Sequence, residues 1–359
     1  MRPGFSTSAC AAAAAVTGIS ALEKDCLNTV EEVTIHLPSG IQAVFVLRTL
    51  HRTDEGVLCG VIKDAGDDPD VTNGIEIQTL VRRNGLTENR ILGGRGVGIV
   101  TLPGLPVGVG KPAINPGSQK LIHTILNRFL KQEAIPPGFD ITIIVPEGEQ
   151  IALQTLNPKL GIQGGISILG TDGMVHPYSA PAFRASVYTE MKVAAKNGYT
   201  GVAIATGKRS AEFLERELRA DDRVYVINAG DELEFPLALV SRFPFSTVIL
   251  SGMIGKMTKV AQGRFRTHVE HGRVDFDFLS DLASSNNVPP EICENIRTAN
   301  TAHQVQFWLS KINVRLEPDI ARLAAYETQK KIGANYAVAV YIFSLKGELL
   351  GQCKIEPNE

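Results

Sequence analysis

Four carboxylates crowd one turn-rich run, Lys63-Asp64-Ala65-Gly66-Asp67-Asp68-Pro69-Asp70-Val71-Thr72-Asn73-Gly74. Like charges so close repel and raise at least one pKa, which yields a general base or an acceptor for ribose hydroxyls. The spacing does not fit the D-x-[DN]-x-[DN]-G of an EF-hand. On these residues alone an exposed Asx-rich turn is the favoured description. A second constellation is positive: from Pro236 to Val269 stand Arg242, Lys256, Lys259, Arg264 and Arg266, with no carboxylate between them. That pattern points to a polyanionic ligand, or equally to a solvated basic face. Gly252-Met253-Ile254-Gly255-Lys256-Met257-Thr258 fails as a P-loop, because Leu250 stands where the first glycine belongs and Met257 replaces the hydroxyl residue after the lysine. What survives is a glycine-initiated helix carrying Lys256 and Lys259, an anion site by its charge and its N-terminus. His268 and His271 have H-x-x-H spacing without a third ligand, so a base is the better reading and no metal is expected. Gly93-Gly94-Arg95-Gly96-Val97-Gly98 either brings backbone close to a planar ligand or forms a strained hairpin.

The elements that must position these residues fall into two patterns. Over 1–150 strands and helices mix without regular alternation: a hairpin of 33–37 and 41–47 about Pro38-Ser39-Gly40, strands at 74–80, 99–102 and 141–145, and a helix over 118–132. Ser6, Thr7 and Ser8 cap an alanine-rich helix, which is read as a helix and not as an export signal. The glycine-rich segment 156–173 is expected to be the domain boundary. From 151–359 the pattern becomes regular: helix 182–197, strand 202–205, helix 210–219, strand 224–227, helix 232–242 and strand 247–250. Further helices at 276–283, 291–298, 301–309 and 319–331 precede a hairpin of 336–343 and 348–353. The fold expected is therefore a two-domain α/β protein, an N-terminal α+β domain followed by a Rossmann-like doubly wound parallel α/β domain. Ligands of such sheets lie beyond the carboxyl ends of the strands. Here those ends read Thr206-Gly207-Lys208, Asn228-Ala229-Gly230-Asp231 and Ser251-Gly252-Met253. No G-x-G-x-x-G follows any of the strands, which counts against a nicotinamide dehydrogenase.

Composition narrows the classes. The 359 residues carry 36 Lys+Arg against 38 Asp+Glu, which excludes a globally basic nucleic-acid binder. Five scattered cysteines without a C-x-x-C pair fit a reducing, cytoplasmic setting better than a disulfide framework. No apolar run approaches the ~20 residues of a membrane span.

Taken together, these segments resemble the CbiD family, the cobalt-precorrin-5B (C1)-methyltransferases of anaerobic cobalamin biosynthesis. The resemblance runs through Arg2-Pro3-Gly4-Phe5-Ser6-Thr7, the acidic run 63–74, Gly96-Val97-Gly98 and Lys111-Pro112-Ala113-Ile114-Asn115-Pro116. It continues through Leu156-Asn157-Pro158, Gly164-Gly165-Ile166-Ser167-Ile168-Leu169-Gly170-Thr171, Ile254-Gly255-Lys256-Met257 and Thr267-His268. The family pattern departs at Ser6-Thr7-Ser8-Ala9, where a Thr-Thr-Gly type turn is usual, and at Val269, where serine is usual.

What the resemblance implies is methyl transfer from S-adenosylmethionine to C1 of a cobalt-containing tetrapyrrole. Asp64, Asp68 and His268 are then the candidates for removing a ring proton. Thr7, Ser8, Asp67, Asp70, Gly94, Gly96, Gly98, Thr171, Lys256 and Lys259 are expected at the macrocycle, between the two domains. Thr206, Gly207, Asn228, Gly230 and Gly252 are expected at the adenosyl group. No nucleic-acid or membrane partner is expected, and a homo-oligomer is left open. The rival readings are a nucleotide-dependent oxidoreductase and a non-enzymatic tetrapyrrole-binding protein.

Overall fold

The computed structural model describes residues 1–25, 27, 31–218 and 223–358, which form two compact units, Met1–Ala180 and Pro181–Glu359. Cys26 and Arg219, the last residue of an expected helix, lie outside the described residues. Among the described residues no helix is long and apolar enough to cross a membrane.

The first unit is built on a six-stranded sheet in the order Glu32–His36, Gln42–Thr53, Gly56–Ile62, Glu76–Arg83, Phe139–Ile144, Arg90–Gly93, antiparallel except for the last pair. Helix Thr7–Glu23 packs on the two middle strands and on helix Pro116–Gln132. Alanine explains how: Ala9 and Ala11 to Ala15 are wholly buried, and side chains this small let a helix lie close to its neighbours on every face. Gly18 extends that approach, since a Cβ there would come within 2.9 Å of Val81 Cγ2. Ser6 starts the helix by accepting from the Ala9 N–H, and Asn115 does the same for Gly117 ahead of Pro116 at the first turn of the other helix. Leu121, Ile122, Ile125, Leu126 and Leu130 form the buried stripe of that second helix.

The glycine-rich segment is not a linker. Gly165–Ile166 pairs in parallel with Gly96–Val97, Ile162–Gln163 pairs with Ile99–Val100, and Met174–Val175 pairs with Gly4–Phe5. The division therefore falls after Ala180 rather than after residue 150, because pairing with strands from earlier in the chain fixes this stretch to the first unit.

The second unit contains a five-stranded sheet in the order Val224–Asn228, Gly201–Ala205, Thr247–Met253, Ala337–Phe343, Leu349–Ile355. The first four strands are parallel, and the last closes an antiparallel hairpin. Val202, Ile204, Val248 and Leu250 point into the larger core with helices Ala180–Lys196, Ile254–Ala261 and Glu317–Ile332. Ala203, Ala205 and Ile249 point the other way, onto helix Lys208–Glu217. Helices thus cover both faces, as near-continuous apolar parallel strands require. Register places Ala205 opposite both Asn228 and Ser251, so the three loops that follow leave one edge at the same level.

Candidate functional site

In the first unit the acidic run is tied down chiefly at Asp64 and Asp70. Lys63 exchanges backbone hydrogen bonds with Gly74 and Ile75, closing the loop at its base. Its side chain is 1% exposed and donates Nζ to Asp70 Oδ2 at 2.7 Å. Burial pushes the Asp70 carboxyl up, but Lys63 together with the Thr72 N–H and hydroxyl outweighs it and holds the group below the usual range. Arg2 clamps Asp64 with two donors, at 2.5 and 2.8 Å, and this holds the Asp64 carboxyl below its ordinary range against the effect of burial. Asp67 accepts the Arg2 N–H at 2.6 Å. Asp68 accepts the N–H of Tyr178 at 3.3 Å, the loosest of these ties.

The helix N-terminus beside this loop is equally occupied. Leu169 donates its N–H to Thr7 Oγ1 at 2.9 Å, and Ser8 donates its hydroxyl to the Gly170 carbonyl at 2.8 Å. Both residues are buried, and in this structure their hydroxyls fasten the 169–170 segment. Thr171 is exposed, with its methyl against Gly117. The glycines of the 93–98 run also serve packing. Gly96 has φ +76, a Cβ there would strike the Val145 carbonyl, and Cβ atoms on Gly148 or Gly165 would strike the Gly96 carbonyl. At Gly98 a Cβ would strike Ile162, and at Gly94 it would crowd Thr142 and Ile144. The close approach made by these glycines is to other parts of the protein, backbone at Gly96 and side chains at Gly94 and Gly98.

In the second unit the strand-end residues do come together. Thr206, Gly207, Asn228, Gly230 and Gly252 share the carboxyl edge of the parallel strands. Lys256, in the first turn of its helix, donates Nζ to the Thr206 carbonyl at 2.5 Å and lies 3.0 Å from Asp231 Oδ1. It therefore bridges the loops after the first, second and third strands of this sheet in chain order. Thr267 donates its hydroxyl to the same Asp231 oxygen at 2.8 Å and its N–H to the Asp231 carbonyl at 2.9 Å. Burial raises the Asp231 pKa, but the Thr267 and Lys256 hydrogen bonds, with the charges of Lys256 and His268, hold it below the ordinary carboxylate value. Gly207 and Gly230 border open space: no atom lies within 4 Å of where either Cβ would stand. At Gly252, by contrast, a Cβ would lie 2.6 Å from Thr206 Oγ1. His268 keeps its ring half exposed, with Nδ1 accepting the Glu270 N–H at 3.4 Å.

The positive stretch is not a free basic face. Lys259, expected at a substrate carboxylate, is buried here and donates Nζ to the Thr267 carbonyl at 2.7 Å, and burial lowers its pKa. Arg266 pairs with Glu234 at 2.9 Å, and Arg264 donates to the His271 carbonyl at 3.0 Å. The counter-charges come from Asp231 and Glu234, just outside the stretch. Arg2 and Asp231, quoted in sequence only as members of longer motifs, were not among the candidate site residues. Asp231 had a readable signal, being the carboxylate that follows the glycine turn after a parallel strand.

Comparison with known proteins bears on both units. The CbiD model matches residues 1–177, and the model for the CbiD C-terminal domain matches residues 266–354. The chain is 40% identical over 353 residues to the cobalt-precorrin-5B C(1)-methyltransferase of a Geobacillus species, covering 98% of this chain and 96% of that one. It is also 40% identical over 340 residues to the protein of that name from Thermus thermophilus, covering 94% and 90%. A crystal structure of the cobalamin biosynthesis protein (cbiD) from Archaeoglobus fulgidus aligns with 80% of this chain and 85% of that chain, at 26% identity and a TM-score of 0.40. With family matches in both units and identity that runs almost end to end, the chain belongs to the CbiD family.

Proposed function

We propose that this chain is a C-methyltransferase of cobalamin biosynthesis that methylates C1 of cobalt-precorrin-5B to give cobalt-precorrin-6A, with S-adenosylmethionine as the methyl donor. The observation that carries the reading is 40% identity across 98% of the chain to a protein named for that reaction. Free thiols at Cys10, Cys59, Cys293 and Cys353 are in keeping with a cytoplasmic setting.

For the donor, the carboxyl edge of the second unit is the favoured place. In chain order its strands run 2-1-3-4-5 across the sheet with helices on both faces, which supports the Rossmann-like, doubly wound reading. In such sheets ligands settle where strand order reverses, here between Gly201–Ala205 and Thr247–Met253. Open space over Gly207 and Gly230 fits a nucleoside approaching the backbone.

S-adenosylmethionine supplies an electrophilic methyl: an electron pair of the ring carbon forms the new C–C bond while the C–S bond breaks, and a neutral thioether leaves. The chain's task is then mainly to hold two reactants in line, a contribution of up to ~7–11 kcal/mol in favourable cases. For the ring proton, Asp68 and His268 are the better candidates. Asp64, held ionised by Arg2, is too weakly basic to compete near neutral pH.

The decisive experiment incubates purified protein with methyl-labelled S-adenosylmethionine and cobalt-precorrin-5B. Label at C1 of the product is expected. Tight corrinoid binding without donor consumption would make the protein a carrier and overturn the assignment.

A further inference from the structure

We infer that Asp231 reads the ribose of the methyl donor, with Oδ2 accepting from the ribose hydroxyls while Oδ1 is pinned within the protein. This rests on the reading of the carboxyl edge as the donor site. The argument begins with the turn. Asn228 Oδ1 accepts the Gly230 N–H at 3.2 Å, and Gly230, with φ +56, reverses the chain so that Asp231 faces the ends of the neighbouring strands. Both protein donors to the carboxylate, Thr267 Oγ1 at 2.8 Å and Lys256 Nζ at 3.0 Å, meet the same oxygen, Oδ1. Among the described residues none donates to Oδ2, and the side chain is 33% exposed.

A carboxylate oriented through one oxygen and free at the other is an acceptor prepared for hydroxyl donors. Its ionised form is the strong one, since hydrogen bonds to charged acceptors are worth about twice those to neutral ones. Lys256 adds geometry: by also binding the Thr206 carbonyl it ties Asp231 to the first strand's loop, where Gly207 leaves room. Thr267 and Lys256 act through Asp231 and are positioning residues in this scheme.

The test measures equilibrium binding of S-adenosylhomocysteine and its 2′-deoxyribose analogue to the wild-type chain and to Asp231→Asn. Asparagine keeps an Oδ1 acceptor for Thr267 and Lys256 and replaces only the free oxygen and the charge. Wild type is expected to prefer the ribose form by roughly 10- to 100-fold, the strength of a hydrogen bond to a charged group. In Asp231→Asn the two ligands should bind within about 3-fold of each other, and Thr267→Val should show an intermediate ratio. A partly unfolded preparation lowers both apparent affinities alike and leaves the ratio intact. A third variant, Gly207→Leu, fills the open space and should abolish binding of both ligands. If it does so while Asp231→Asn keeps the full preference, the role of Asp231 is overturned and the donor site stands. If Gly207→Leu binds both ligands as wild type does, the donor lies elsewhere and both readings fall.

Discussion

The acidic loop of the first unit and the strand-end cluster of the other unit both stand out in the sequence by their charge, one negative and one positive, yet the structure treats them in opposite ways. The loop closes on itself at two of its four carboxylates: Lys63, Arg2 and Thr72 engage both oxygens of Asp64 and Asp70, Asp67 and Asp68 keep one partner each, and the buried lysine is 1% exposed. The cluster stays open, with Asp231 held through one oxygen and two glycines bordering free space. A titratable group whose partners are all internal works for the fold, whereas one fixed in orientation but only half satisfied can still accept a ligand. Charge density alone does not separate the two cases. Partner count does.

The contrast is sharpest at two lysines. Lys63→Met strips a buried ion pair and leaves Asp70 without its main partner, which should cost about 3–5 kcal/mol. Lys256, with a side chain 36% exposed, is expected to cost about 1 kcal/mol or less as Lys256→Met, while weakening S-adenosylhomocysteine binding. Urea unfolding followed by hydrogen exchange in each unit would read both. Equal costs would mean that the loop is no more closed than the cluster.

Asp140 extends the same test through pH. It is 1% exposed, accepts two bonds from Arg90 at 2.7 Å, and is further bound by Asn84 and Arg82, which together bring its pKa down to about 2. A depressed carboxyl contributes stability above its unfolded pKa of about 3.9, and loses that contribution as pH falls through its folded value. Asp140→Asn should therefore be less stable than wild type by about 1–2 kcal/mol at pH 7, allowing for its half-exposed arginine partners, and the gap should close between about pH 5 and pH 2. A gap that persists unchanged at pH 2 would show that shape and hydrogen bonding, not charge, are what Asp140 supplies.

Sequence revealed what is local. Ser6 announces its helix, and the apolar runs ending at Ala205, Ile227 and Leu250 announce parallel strands, because caps and apolar runs act within a few residues. The strand Gly56–Ile62 was missed, since two glycines interrupt its apolar residues beside the Asp54-Glu55 turn. Partnerships across the chain were illegible. Thr7 and Ser8 find Leu169 and Gly170 only once helix Thr7–Glu23 is packed. The run without carboxylates seemed unpaired because Asp231 and Glu234 stand just upstream of it and reach it through the fold. Asp231 itself was visible as a residue, but its half-satisfied state belongs to three-dimensional geometry.

The smallest effect offers the cleanest discrimination, because it uses one substitution at two glycines. Gly96→Ala places a Cβ against the Val145 carbonyl at φ +76, so strain and collision add, and a loss of about 2 kcal/mol or more is expected. Gly207→Ala meets no atom within 4 Å, and its backbone is extended, a conformation that alanine adopts freely. Its stability should stay within about 0.5 kcal/mol of wild type. The same methyl group enters the space proposed for the nucleoside, so affinity for S-adenosylhomocysteine should fall several-fold while the unfolding midpoint stays put. A glycine kept for the fold and a glycine kept for a ligand are thus told apart by which measurement moves. Were Gly207→Ala silent in both, the open space above the first parallel strand would have no occupant, and the distinction between the two regions would reduce to packing.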